Sequence, residues 1–264
     1  MGTVFSFTVR DPGPRTAAAV ERAVARLHEI DAVFSTYRQD SDISRLARGE
    51  TTVEDCHPDV AEVLARCEET AGQTDGWFSA RPAERLDPSG WVKGWAVEEA
   101  CRVLRAAGSR EHCVSGGGDV QLAGGPWRVG VAHPLRPGAF AAVLAGSDLA
   151  VATSGTAERG AHVIDPFTGH PAVALVSLTL VADPGIGLAR ADAWATAVFA
   201  MGPEHGLAWA ERQPGVEALA VLPDGSQLRT GGLARHLPTA GPADWTLWSP
   251  RRVTTYPEPA RQPR

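Results

Sequence analysis

HCVSGGGDVQLAGGPWRVGVA, residues 112–132, is the stretch on which the fold turns. Three short runs, HCVS, DVQLA and WRVGVA, are parted by glycine and proline, the residues that open turns. The texture continues through FAAVLAG (140–146), LAVATS (149–154), HVIDP (162–166) and ALVSLTLVA (174–182). Each of these runs is expected to be a strand.

Upstream, TVFSFTV (3–9) alternates as a strand does. Pro14 then suits the first turn of a helix carrying Val20, Val24, Leu27 and Ile30 on one face. A polar loop, STYRQDSD (35–42), precedes a helix after His57-Pro58 with Val60, Val63, Leu64 and Cys67 inward. A third helix is expected from about Val92 to Ala107, stopped by Gly108. Downstream come helices at Leu188–Met201 and Pro203–Gln213, then a hairpin, EALAVL-PDGS-QLRT (217–230), with a strong Asp-Gly turn signal. Helices first and strands in the middle predict an α+β fold, a mostly antiparallel sheet flanked by helices. The expected organisation is one domain over 1–237 and a Pro-, Arg- and Trp-containing tail over 238–264, partly ordered by Trp245 and Trp248.

Composition narrows the function. The chain has 264 residues, is 44% hydrophobic and 21% charged, and carries a net charge of −6 with its basic residues scattered, so a nucleic-acid footprint is not expected. Cys56, Cys67, Cys101 and Cys113 form no CxxC pair, and read as buried thiols of a reducing compartment. No export signal opens the sequence and no run reaches the ~20 apolar residues of a membrane span. A cytoplasmic protein is expected.

ADAWATA (191–197) sets Asp192 and Thr196 four residues apart, on one face of a helix. Two oxygen donors there suit a hard cation such as Mg²⁺, and equally a helix cap. Other polar and glycine-rich clusters have similarly divided readings. Lys93-Gly94 at a helix start suits a solvated lysine as well as a phosphate ligand. SGGGD (115–119) suits a tight turn, and matches neither common phosphate-loop fingerprint. His162 and the Asp165-Pro-Phe-Thr-Gly turn could be structural.

The order of the clusters is more specific than any one of them. MGT (1–3), STYRQDS (35–41), TDGWFS (74–79), DPSGWVKGWAVE (87–98), GGD (117–119), TSGTAERGAHVIDPFTG (153–169), ADAWATA (191–197) and GPEHGL (202–207) follow one another along residues 1 to 222. This series resembles the ApbE family, the FAD:protein FMN transferases. The resemblance implies Mg²⁺ bound by Asp192, Thr196 and the backbone carbonyl of Gly90. It implies FAD contacts from Met1, Tyr37, Trp77, Phe78, Ser79, Asp87, Lys93 and His162. Lys93 would place a positive charge at the pyrophosphate, and His162 is the candidate proton acceptor, with Asp165 and a metal-bound hydroxide as alternatives. The chain departs from the family pattern at Ser79, where an Asp is usual, at Pro88-Ser89 for Leu-Gly, and at Glu98 for Asp.

The implied reaction moves the FMN moiety of FAD onto a Ser or Thr of an acceptor flavoprotein and releases AMP. An Mg²⁺-dependent FAD pyrophosphatase would use the same pocket with water. A non-catalytic flavin-binding module would keep the ring contacts and lose the metal.

Overall fold

The computed structural model describes residues 3–157 and 160–238. Strand β1 (Phe5–Val9) leads into helices α1 (Thr16–Phe34), α2 (Asp42–Ala47), α3 (Pro58–Gln73) and α4 (Ser89–Ala106). Six strands follow: β2 (His112–Gly116), β3 (Asp119–Ala123), β4 (Trp127–Ala132), β5 (Phe140–Gly146), β6 (Ala150–Gly155) and β7 (Ser177–Ala182). Helices α5 (Leu188–Met201) and α6 (Pro203–Glu211) and the hairpin β8 (Val216–Val221) and β9 (Gln227–Arg229) complete the order. Seven strands make one sheet in the order β1-β2-β3-β6-β7-β8-β9, while β4 and β5 pair separately. Every pairing is antiparallel. The expected α+β class is what the chain adopts.

The central strands are apolar without alternation because both faces of the sheet are covered. Successive side chains of a strand point to opposite faces. Ala150 and Ala152 of β6 join the core beneath the helices, whereas Val151 between them joins a second core. That second core gathers Trp127 and Leu144 of the β4–β5 hairpin against Val151, Val181 and Leu219.

Helix α5 packs against β6 and β7 of the sheet and against α4 and α6. Its sequence is apolar nearly all round, as a fully enclosed helix requires, and Asp192 is buried with the rest. Gly94 lets α4 approach it: a Cβ there would stand 2.5 Å from the Leu188 carbonyl and 2.9 Å from Asp192 Cβ. The N-terminus of α5 has no cap of its own. Glu98 of α4 supplies one, its Oε1 accepting the Ala189 N–H at 3.1 Å. Gly187, at φ +84, keeps the space open, since a Cβ would meet that oxygen at 2.5 Å.

This joint yields a testable stability effect. Burial raises the Glu98 carboxyl above its ordinary value, opposed by the N–H groups of Ala189 and Leu188. A raised carboxyl binds its proton more tightly folded than unfolded. Its contribution is therefore greatest below the unfolded value of 4.5 and declines as pH rises from there to the folded value. Glu98→Ala is expected to lower unfolding free energy by about 1–2 kcal/mol, the size of a lost helix cap. Glu98→Gln keeps an acceptor, loses less, and removes the pH slope. Urea unfolding of the three proteins at a series of pH values measures both.

Several expectations need correcting. HVIDP is not a strand: only Ile164 bridges, to Pro171, because the Asp165 carboxylate accepts the N–H groups of Phe167 and Thr168 and closes a turn. The loop after residue 35 hides α2, whose N-cap is Ser41, its side chain accepting the Ser44 N–H. The inward face of α1 is Ala19, Ala23, Leu27, Ile30 and Phe34, with Val20 and Val24 only half-buried. Leu64 on α3 is likewise half-buried. Helix α4 starts at Ser89, before Val92, and α6 ends at Glu211. Residues 239–264, which hold the proposed tail with Trp245 and Trp248, lie outside the described residues.

Candidate functional site

A cavity of about 690 Å³ opens between the start of α4, the β2–β3 turn, the ends of β4 and β6, and the 162–166 loop. Trp77, Phe78, Ser79, Asp87, Gly90, Lys93, His162, Asp192 and Thr196 all line it. Tyr37 does not: it is 80% exposed and borders a separate depression with Arg48 and Leu86. Met1 lies outside the described residues.

Local folding explains how distant segments meet. Asp87 Oδ1 accepts the Ser89 N–H at 3.0 Å and so starts α4. One turn on, Lys93 points across to the β2–β3 turn. Gly117 and Gly118 make that turn with φ of +57 and +90, which glycine adopts without strain. A side chain at Gly117 would also press on Lys93, at 2.9 Å from Cδ. SGGGD is thus the tight turn expected of it, and it lines the cavity beside Lys93. Trp77 sits edge-on against Phe167 (centroids 4.7 Å apart) and His205 (5.5 Å), joining three of the sequence clusters. Phe78 is buried, and Ser79 Oγ accepts the Arg81 N–H at 2.9 Å.

Lys93 is not a solvated lysine. Its Nζ lies 3.0 Å from Asp192 Oδ1 and is also bonded to Asp119 Oδ2. Burial pulls the ammonium pKa down, but the two carboxylates outweigh it and hold it above the ordinary value. Burial, reinforced by Asp192, pushes the Asp119 carboxyl well above the usual carboxylate range against the pull of Lys93. Asp192 caps nothing on its own helix. Its Oδ2 instead accepts the Gly94 N–H of α4 at 2.9 Å, an N–H that in a regular helix bonds to the carbonyl of Gly90.

The donor set fits a hard cation. No group of three His, Cys, Asp or Glu side chains that could hold a metal exists among the described residues. Around Asp192 the candidate donors are oxygen: the Asp192 carboxylate, the Thr196 hydroxyl and the backbone of Gly90, all of which line the cavity. Thr196 Oγ1 donates to the Asp192 carbonyl at 3.2 Å and keeps its lone pairs, with Ser154 Oγ 3.3 Å away. Gly90 lies beside it, since a Cβ there would stand 3.4 Å from that oxygen. Few protein oxygens and an open side suit Mg²⁺, which retains water or phosphate ligands.

His162 is exposed, with Nδ1 3.0 Å from the Gly160 carbonyl. A carbonyl only accepts, so that contact puts the proton on Nδ1 and leaves the Nε2 lone pair free to take one. Asp165 is less suited as a base, because its Oδ1 is engaged in the turn described above.

Two residues escaped the sequence reading. Asp119 stood in a quoted cluster without a role, and its partner lies 26 positions away. His133 lines the cavity 5% exposed; Nδ1 accepts the Leu135 N–H, and Nε2 has no partner among the described residues. Nothing in the sequence around His133 signalled this.

The family is settled by comparison. The ApbE family model matches residues 1–82 and 79–220, and the chain belongs to the ApbE family. The FAD:protein FMN transferase of Rhodobacter capsulatus is 37% identical over 167 residues, 58% of this chain and 31% of that protein. Its namesake in Haemophilus influenzae is 25% identical over 285 residues, 80% of this chain and 82% of its own. Among solved structures, the flavin transferase ApbE of Vibrio cholerae superposes with a TM-score of 0.73 at 24% identity, covering 90% of this chain and 96% of that one. The apo flavinyl transferase ApbE of Pseudomonas stutzeri gives 0.75 at 23%, covering 90% and 94%. These two likenesses establish the fold.

Proposed function

We propose that the protein is an Mg²⁺-dependent FAD:protein FMN transferase, attaching the FMN moiety of FAD to a Ser or Thr of an acceptor flavoprotein and releasing AMP. The observation that carries the reading is the convergence of Lys93, His162, Asp192 and Thr196 on one cavity large enough for a dinucleotide. Membership of the ApbE family and the shared name of its relatives support it.

The ion would be held by Asp192, Thr196 and the Gly90 carbonyl, and when bound it neutralises charge on the phosphate oxygens. Lys93 adds a positive charge beside the same phosphates. His162 Nε2 accepts the hydroxyl proton as the acceptor oxygen bonds to the FMN-side phosphorus. The bond from that phosphorus to the bridging oxygen breaks, and AMP departs with the electron pair. Alignment and charge stabilisation carry such a transfer. Trp77 offers a face or edge for a flat ring, and Asp87 an acceptor for ribose or adenine donors.

The four cysteines are free, which suits a reducing compartment such as the cytoplasm. No helix among the described residues is long and apolar enough to cross a membrane.

The reading is tested first by binding. FAD should bind more tightly than FMN, because Asp87 and Lys93 address the AMP side and the pyrophosphate. Titration of flavin fluorescence with each ligand measures the difference. Equal affinity for the two flavins would contradict the assignment and favour a flavin-binding module.

A further inference from the structure

Two carboxylates share one ammonium at the floor of the cavity. Each has one oxygen tied to backbone: Asp192 Oδ2 accepts Gly94 N–H at 2.9 Å, and Asp119 Oδ1 accepts Thr153 N–H at 3.2 Å. The other oxygen of each is on Lys93. The Asp192 oxygen that a divalent ion would need is therefore the one Lys93 already holds. Asp119 is fully enclosed and Asp192 nearly so, so water cannot substitute freely for either partner. Two carboxyl groups thus depend on a single ammonium.

We propose that Asp119 is a positioning residue: a second seat for the Lys93 ammonium, which lets Lys93 yield Asp192 Oδ1 to a divalent cation without leaving the cavity. The inference rests on the metal role proposed above for Asp192. With the cation in place, Lys93 pairs with Asp119 alone and its charge stays beside the phosphates. Without Asp119, the ammonium has only Asp192 and competes directly with the cation. No bond is made or broken, so the role is read in binding, separately from turnover.

The alternative is that Asp119 merely adds negative charge or steadies its turn. A double-mutant cycle separates the two, because a role exercised through Lys93 vanishes when Lys93 is absent. Mn²⁺ is the probe, with free Mn²⁺ counted by electron paramagnetic resonance in flavin-free protein, and near-ultraviolet circular dichroism confirming that each variant is folded. Asp119→Asn should weaken Mn²⁺ binding about tenfold, and Lys93→Met should tighten it severalfold. In the Lys93→Met background, adding Asp119→Asn should change affinity by about threefold or less. Equal weakening in both backgrounds, or none in the wild-type background, overturns the inference while leaving the metal assignment intact. No saturable binding by any of the proteins overturns both. If Asp119→Asn fails to fold, Lys93→Met decides alone: binding no tighter than wild type refutes the competition.

Discussion

Asp192→Asn is expected to reduce cation-dependent turnover of FAD by about a thousandfold or more, on the order of 4 kcal/mol of lost transition-state stabilisation. Asn keeps the size and one acceptor oxygen of the carboxylate, so the Gly94 N–H retains a partner and the contact between α4 and α5 persists. What disappears is the single anionic ligand in an otherwise neutral donor set. The remaining Lys93–Asp119 pair is balanced in charge, so the melting temperature should not fall appreciably. Steady-state kinetics at limiting and saturating Mg²⁺, with a thermal melt, check both halves. Near wild-type activity at low Mg²⁺ would show that the ion does not bind through Asp192.

Lys93→Met should lower kcat/KM for FAD by roughly two orders of magnitude, about 2.7 kcal/mol. Met keeps the aliphatic stem along Gly117 and deletes the charge. A contact made equally with bound FAD and with the transition state raises KM alone, whereas one that strengthens during transfer lowers kcat. Both changes are expected, since charge builds on the phosphoryl oxygens. The variant also leaves Asp119 and Asp192 facing each other without a cation, so its melting temperature should drop and recover in part with Mg²⁺. An unchanged kcat/KM would remove Lys93 from the site.

Much of this is legible in the sequence, for identifiable reasons. The Asp192 and Thr196 pair was readable because helical spacing alone fixes a shared face. What that face met was not readable, because the approach of α4 to α5 depends on the absence of a side chain at Gly94 and on the cap from Glu98, residues far from Asp192 in sequence. Strand runs were found where apolar residues stood between glycines, and HVIDP misled because Asp165 binds two backbone N–H groups and ends the extension at Pro166. Helix α2 is six residues long and is held by the Ser41 cap, too short for periodicity to reveal. Asp119 was legible as a turn residue only; its second function exists because the β2–β3 turn carries it up to Lys93. Tyr37 came from the family pattern alone, and it stands at a different surface from the cavity.

The central claim is that the cavity transfers FMN to a protein hydroxyl. Its most direct test is the intact mass of an acceptor flavoprotein domain bearing a Ser or Thr flavinylation motif, after incubation with this protein, FAD and Mg²⁺. The account predicts an acceptor heavier by one FMN less one water, with AMP released in equal amount, and no gain when the acceptor Ser or Thr is replaced by Ala. Consumption of FAD to free FMN and AMP with the acceptor mass unchanged would contradict it and identify a pyrophosphatase.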